Sequence, residues 1–159
     1  DFKKIYDWRD NITEDKLREI YDDIKLPSRA TKGSAGYDFF APFNIDIVQE
    51  LYTTIPTGIR VILPQDKMLS IYPRSSLGFK HGMRLANTVG IIDSDYSYSD
   101  NEGHIMIEVT YDKPNLAHFL RIDAGKAFAQ GVITKYYTTD DDNVKNKRNG
   151  GFGSTDSKG

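Results

Sequence analysis

Residues 11–27, NITEDKLREIYDDIKLP, place Leu17, Ile20, Tyr21 and Ile24 at helical spacing, with Thr13 positioned to cap the start and Pro27 to mark the end. The spacing predicts one short helix. Beyond it the apolar positions fall into short runs broken by glycine, proline and polar clusters. FNIDIVQELYTTIPTGIRVILP, MLSIYP, ANTVGIID, GHIMIEVTY, HFLRI and AFAQGVITKYY are rich in isoleucine, valine, threonine and tyrosine and predict strands. Many short strands with frequent turns predict an all-β sandwich, jelly roll or barrel. YSYSDNEG (96–103) and TTDDDNVKNKRNGG (138–151) are polar and aperiodic and predict exposed loops. No repeat or interdomain linker interrupts the pattern, so residues 1–159 read as one domain. Its N-terminal extension is 1–25 and its C-terminal arm 140–159.

Composition narrows the function. A chain of 159 residues is long enough for one buried core. The net charge of −2 gives no global positive field for a nucleic-acid backbone or an anionic membrane, so any polyanion must be small and locally cradled. The absence of cysteine removes disulfides, thiolate nucleophiles and cysteine metal sites. No apolar run approaches the roughly 18 residues of a membrane span, and DFKKIYDWRD lacks the apolar centre of a secretory signal. The expectation is a soluble, cytoplasmic protein.

Candidate chemistry lies in a few short stretches. In GIIDSDYSYSD, Asp93, Asp95 and Asp100 follow an apolar strand. An acidic turn tip is the plain reading of such a match. Asp93 differs because it directly follows Ile91 and Ile92, which suits a half-buried, oriented general base; Tyr96 could pack flat on a ligand. YPRSSLGFKHG sets Arg74 beside Ser75 and Ser76 and before Gly78, a turn offering guanidinium, hydroxyl and backbone N–H donors to one anion. Asp38 sits among aromatic residues after a small-residue turn, where capping of local backbone is the simpler role. Gln130 is a lone amide in an apolar strand and needs partners, backbone or ligand. His81, His104 and His118 lack metal-ligand spacing and read as structural or exposed, with no zinc site. The final stretch, RNGGFGSTDSKG, combines Arg148, glycines, Ser154 and Thr155 as a phosphate cradle without the Walker lysine, and Phe152 suits stacking on a flat base.

Taken in order, AGYDFFAP, PRSSLGFKHGM, NTVGIIDSDY, AGKAFAQGVI and RNGGFGSTD resemble the five motifs of the trimeric dUTPase family, bacterial or bacteriophage type, from about Leu26 to Thr155. The resemblance implies a jelly-roll-like distorted β-barrel over 26–139, with a short N-terminal helix and a flexible C-terminal arm. It implies a homotrimer with shared active sites, and Mg2+-assisted hydrolysis of dUTP to dUMP and pyrophosphate in the cytoplasm of a bacterium or infected host cell. That activity limits uracil in DNA and supplies dUMP for dTMP synthesis. By the same resemblance, Asp93 orients or deprotonates the attacking water and Tyr96 lies under the deoxyribose. Asn87, with main-chain groups of Ile91, Ile92 and Met106, reads uracil. Arg74, Ser75 and Ser76 bind phosphates; Gln130 and Asp38 lie near the phosphates and the metal-bound water. Arg148, Phe152, Gly153, Ser154 and Thr155 stack on uracil and clamp the γ-phosphate.

Three departures from the family pattern stand out. The third motif continues through an insertion at 97–103, Lys126 and Ala127 replace an aspartate–arginine pair before Ala129–Gln130, and Asp156 follows Thr155. Two alternatives stay open at this point: a dCTP deaminase-like enzyme, and a dUTP-sensing regulatory module that contacts a protein through its helix and long loop.

Overall fold

The computed structural model describes residues 12–113, 119–146 and 148. Strands β1 (Tyr37–Phe40), β2 (Ile45–Val48), β3 (Thr53–Pro56), β4 (Lys67–Pro73), β5 (Met83–Leu85), β6 (Gly90–Ile92), β7 (Met106–Tyr111), β8 (Phe119–Ile122) and β9 (Ala127–Lys135) pair antiparallel. Helices α1 (Glu14–Asp22) and α2 (Ser75–His81) and a 3-10 turn (Tyr96–Tyr98) complete the described elements. The strands form three sheets, ordered β1-β9-β4-β6, β2-β8 and β3-β7-β5. The chain is all-β and jelly-roll-like, as the sequence predicts, but the described strands do not close into one hydrogen-bonded barrel.

Strand alternation builds the core. On β2, Ile45 and Ile47 are buried while Asp46 and Val48 face out. Ile55, Leu69, Ile71, Val109, Tyr111 and Phe128 join them from the other sheets in one cluster. Fully burying such a side chain contributes about 1.5–3 kcal/mol, so the cluster rather than surface ion pairs such as Arg121–Asp46 holds the sheets together. Helix α1 forms where the periodicity places it, with the Thr13 side chain accepting from the Lys16 N–H at 3.3 Å. Leu17 and Ile20 bury against Phe43, so the extension packs on the domain with an amphipathic face.

Four expectations are corrected. The run 43–64 is not continuous strand: Glu50 adopts φ 63 in the turn between β2 and β3, and residues 57–66 lie outside the sheets. Only Gly90–Ile92 of ANTVGIID is strand, because Thr88 at φ 66 turns the chain ahead of it. PRSSLGFKHG is not a simple turn but α2, ended by Gly82 in the left-handed conformation at φ 68. Met83–Leu85 adds a strand that the apolar pattern did not mark.

A further correction is the largest. YSYSDNEG is not a wholly exposed loop, since Tyr96, Ser97 and Ser99 are buried. Burying polar groups is costly unless each finds a partner; Asn101 supplies partners to Tyr96 and Ser99, while the Ser97 hydroxyl is buried without one among the described residues. The Asn101 amide donates to the Tyr96 hydroxyl at 2.9 Å and accepts from Ser99 Oγ at 2.7 Å and from the Gly103 N–H at 3.2 Å. Arg60 Nη2 donates to the Ser97 carbonyl at 2.7 Å. Gly103 closes the turn at φ 74, where a Cβ would fall 2.5 Å from Ser97 Cα.

His104 is structural, as read from the sequence. Its Nε2 accepts from the Gly58 N–H at 2.9 Å, a role only the neutral ring can fill, and burial lowers its pKa to about 4. The folded state therefore binds fewer protons than the unfolded one between pH 4 and 6.5. The stability this gives is complete above pH 6.5 and is lost as pH falls towards 4. The thermal midpoint of the wild type is expected to drop across that window more steeply than that of His104→Gln. Equal slopes in a pH series of melting curves would contradict it.

Candidate active site

One cluster is assembled by strand register. Asp38 on β1 pairs with Gln130 on β9, which pairs in turn with Tyr72 on β4. Directly opposed residues share a face, so the three side chains form a row across the sheet. Arg74 leaves the end of β4, tied by its N–H to the Phe128 carbonyl at 3.1 Å, and its Nη2 lies 3.7 Å from Asp38 Oδ2. Asp38 is mostly covered and Arg74 half-exposed, so the carboxylate keeps the guanidinium at the surface, turned towards solvent and any incoming anion. Ser75 and Ser76 follow in the exposed first turn of α2. A first helical turn has N–H groups without intrahelical partners, so hydroxyl and backbone donors adjoin the arginine.

The second cluster surrounds a cavity of about 400 Å³ lined by Asn87, Gly90, Ile91, Ile92, Met106 and Ile107, with Thr54 and Glu108 also on its wall. That is within the usual size of small-ligand sites, roughly 300–1,000 Å³. The lining is mainly apolar, with Asn87, Thr54 and Glu108 as its polar side chains. Gly90 opens it: a Cβ there would lie 3.3 Å from Ile71 Cβ and 3.8 Å from Asn87 Nδ2. The Thr54 hydroxyl donates to Glu108 Oε1 at 3.1 Å, which keeps that carboxylate oriented.

Asp93 follows Ile92 at the end of the same strand, and the turn closes through the Tyr96 N–H to its carbonyl at 3.1 Å. The side chain of Arg148 bonds Asp93 Oδ2 through Nη2 and Asp95 Oδ1 through Nε at 2.9 Å. Its guanidinium carbon lies 5.8 Å from the centre of the Tyr96 ring. The Tyr96 hydroxyl is occupied on the far side, donating to the His104 carbonyl at 3.0 Å. A wider cavity of about 800 Å³ opens here between Asp93, Asp95, Tyr98, Tyr136, Val144 and Arg148.

The structure thus brings Asp38, Arg74, Ser75, Ser76 and Gln130 to one place and Asn87, Ile91, Ile92, Met106, Asp93, Tyr96 and Arg148 to another. Phe152, Gly153, Ser154, Thr155 and Asp156 lie outside the described residues. Gly36, Tyr72, Asp95, Thr54 and Glu108 were not assigned from sequence. Their signal is tertiary, in strand register and cavity lining, and only the acidic character of Asp95 was visible beforehand. Arg74 of the first cluster and Asp93 of the second lie at opposite ends of β4. Ile92 pairs with Leu69, which aligns Asp93 with Met68, six residues before Arg74. At about 3.3 Å per residue this is roughly 20 Å along the strand.

A group of at least three acidic or histidine side chains fit to hold a metal ion does not occur among the described residues. Nor is any described helix long and apolar enough to cross a membrane.

The family pattern described as dUTPase matches residues 22–157. The deoxyuridine 5'-triphosphate nucleotidohydrolase of Lactococcus lactis subsp. lactis is 36% identical over 135 residues, covering 83% of this chain and 88% of that protein. That of Hahella chejuensis is 36% identical over 149 residues, covering 89% and 93%. A solved dUTPase from Streptococcus mutans superposes with a TM-score of 0.66 at 31% identity, over 75% of this chain and 91% of that one. The Staphylococcus bacteriophage 80alpha dUTPase G164S mutant with dUpNHpp gives 0.65 at 21% identity, over 84% and 92%, a likeness of fold.

Proposed function

The chain belongs to the dUTPase family, and from that premise we propose that it hydrolyses dUTP to dUMP and pyrophosphate, with Asp93 orienting water for attack on the α-phosphate. The observation that carries this reading is the join between the apolar cavity and Asp93: both belong to β6 and its end, so a base held in the cavity leaves its sugar and phosphates beside the carboxylate. Uracil suits the cavity. The Asn87 amide and main-chain donors and acceptors of Ile91, Ile92 and Met106 match its edge, and cytosine would leave buried groups unpaired. A missed buried hydrogen bond discriminates by roughly 10⁴, against 10–200-fold for one methyl group, so exclusion of thymine rests on the Ile71–Gly90 wall being rigid.

Tyr96 supports the sugar with its ring face. Arg148 stands over that ring and pairs with Asp93 Oδ2, so drawing the guanidinium from carboxylate to phosphate would free that oxygen as well. A carboxylate is a weak base, and its contribution comes mainly from placing that water. Arg74, with the Ser75 and Ser76 hydroxyls, stabilises charge on the transferring phosphates, and Gln130 directs its amide to the same place.

Asp38 beside this anion cradle suits Mg2+, which is commonly held by one or two carboxylates together with substrate phosphates and water rather than by a protein cage. When bound, Mg2+ supplies countercharge to the phosphates. Because roughly 20 Å of β4 separates Arg74 from Asp93, one triphosphate cannot touch both within one chain. Active sites shared between subunits, as in a homotrimer, remove that separation. The metabolic consequence is less uracil available to DNA synthesis and more dUMP for dTMP synthesis.

Pyrophosphate release tests the reading across substrates. With Mg2+, dUTP is expected to turn over with kcat/KM about 10⁴-fold above dCTP and about 10²-fold above UTP and dTTP, and EDTA is expected to suppress it. Ammonia release from dCTP would instead mark a deaminase, and binding of dUTP without turnover a sensing module.

A further inference from the structure

We propose that Gly36 is a positioning residue for Gln130: the missing side chain at residue 36 is the space in which the Gln130 amide lies. A Cβ built on Gly36 would fall 2.8 Å from Gln130 Oε1, 3.4 Å from its Cβ and 3.5 Å from its Cδ. The first of these is closer than real Cβ contacts allow. Asp38 and Tyr72 flank Gln130 on the two neighbouring strands, so Gly36 adds a third boundary to the amide.

The need for glycine here is not conformational. Gly58, Gly82, Gly103 and Gly125 have positive φ, and Gly36 is not among them, so alanine meets no backbone strain. The atom in the way is the far end of a flexible side chain, which can yield at little cost to folding. The contrast is Gly131, on the opposite face of β9. A Cβ there would meet Leu69 Cδ1 at 2.7 Å and Phe39 Cε2 at 3.0 Å, which is overpacking of the core. Alanine at 131 therefore strains the fold, whereas alanine at 36 displaces an amide at the proposed phosphate cradle.

The link to catalysis rests on the hydrolase reading; the displacement of the amide does not. Gly36→Ala is expected to lower kcat/KM for dUTP about 10-fold, mainly through kcat, with an unchanged thermal midpoint, since sub-ångström misplacement of a binding group is enough for such a loss. Gly131→Ala should lower the midpoint. The double variant Gly36→Ala/Gln130→Ala should be no slower than Gln130→Ala alone, because the overlap no longer exists. In 15N NMR spectra, the Gln130 side-chain amide signal, identified by its loss in Gln130→Ala, should move in Gly36→Ala with or without turnover. If Gly36→Ala proves unstable through the same overlap, Gln130→Ala in the same chain should restore its midpoint. An unmoved amide signal, losses that multiply in the double variant, or instability that Gln130→Ala fails to relieve would each overturn the proposal. Absence of dUTP turnover in the wild type would sink the hydrolase reading, and the amide signal would still decide the role of Gly36.

Discussion

Asp93→Asn is expected to reduce kcat for dUTP by about 10²–10⁴-fold, the range typical of a positioned acid–base group, while a non-hydrolysable imido analogue still binds within a few-fold of wild-type affinity. Asparagine preserves the shape at the end of β6 and the turn that the Asp93 carbonyl closes with the Tyr96 N–H. What it removes is the negative charge and one carboxylate acceptor, the features that let the side chain align a water and draw its proton. The substitution also strips Arg148 of one of its two anionic partners and leaves Asp95 at 2.9 Å. A freed guanidinium would favour phosphate binding, so the variant should separate kcat from KM rather than impair both. Steady-state kinetics with analogue titration makes the check. A variant within 10-fold of wild-type kcat would remove Asp93 from the mechanism.

Ending the chain after Asn146 is the second large effect. It deletes Arg148, which is mostly buried over Tyr96 and against Asp93, together with Phe152, Ser154 and Thr155. Losing preorganised donors to phosphate typically costs about 10²–10³-fold in rate, and kcat/KM for dUTP should fall by at least that much. The fold should not suffer. Residues 138–146 are exposed, and the core cluster draws on none of them. Light scattering and melting curves are expected to match the full-length protein while pyrophosphate release is largely lost. Retained turnover would show that the C-terminal residues do not complete the site, and a changed oligomer would assign them to assembly instead.

Part of this was open to reading from residues alone. The helix at Glu14–Asp22 was legible because Leu17 and Ile20 recur on one face behind a threonine cap, a local signal. The second helix was not. Seven residues give too few turns for a periodicity, its N-cap is Arg74 with no side-chain bond, and it is held by the Gly82 cap and by Leu77 against the core. The buried turn after Asp93 was missed for a related reason. Polar residues predict exposure unless their partners are known, and the Asn101 hub joins atoms that sequence order does not pair.

The all-β class, the family and the residue types of the chemistry are legible along the chain, because motif order and strand alternation are linear properties. Tertiary structure decided what stands beside what. Register places Asp38, Gln130 and Tyr72 in one row, with Gly36 against the Gln130 amide. It also sets Arg74 and Asp93 at opposite ends of β4 and lays Arg148 over Tyr96. These relations come from non-local pairing and packing, whose free energy depends on which surfaces meet, and no local propensity encodes that.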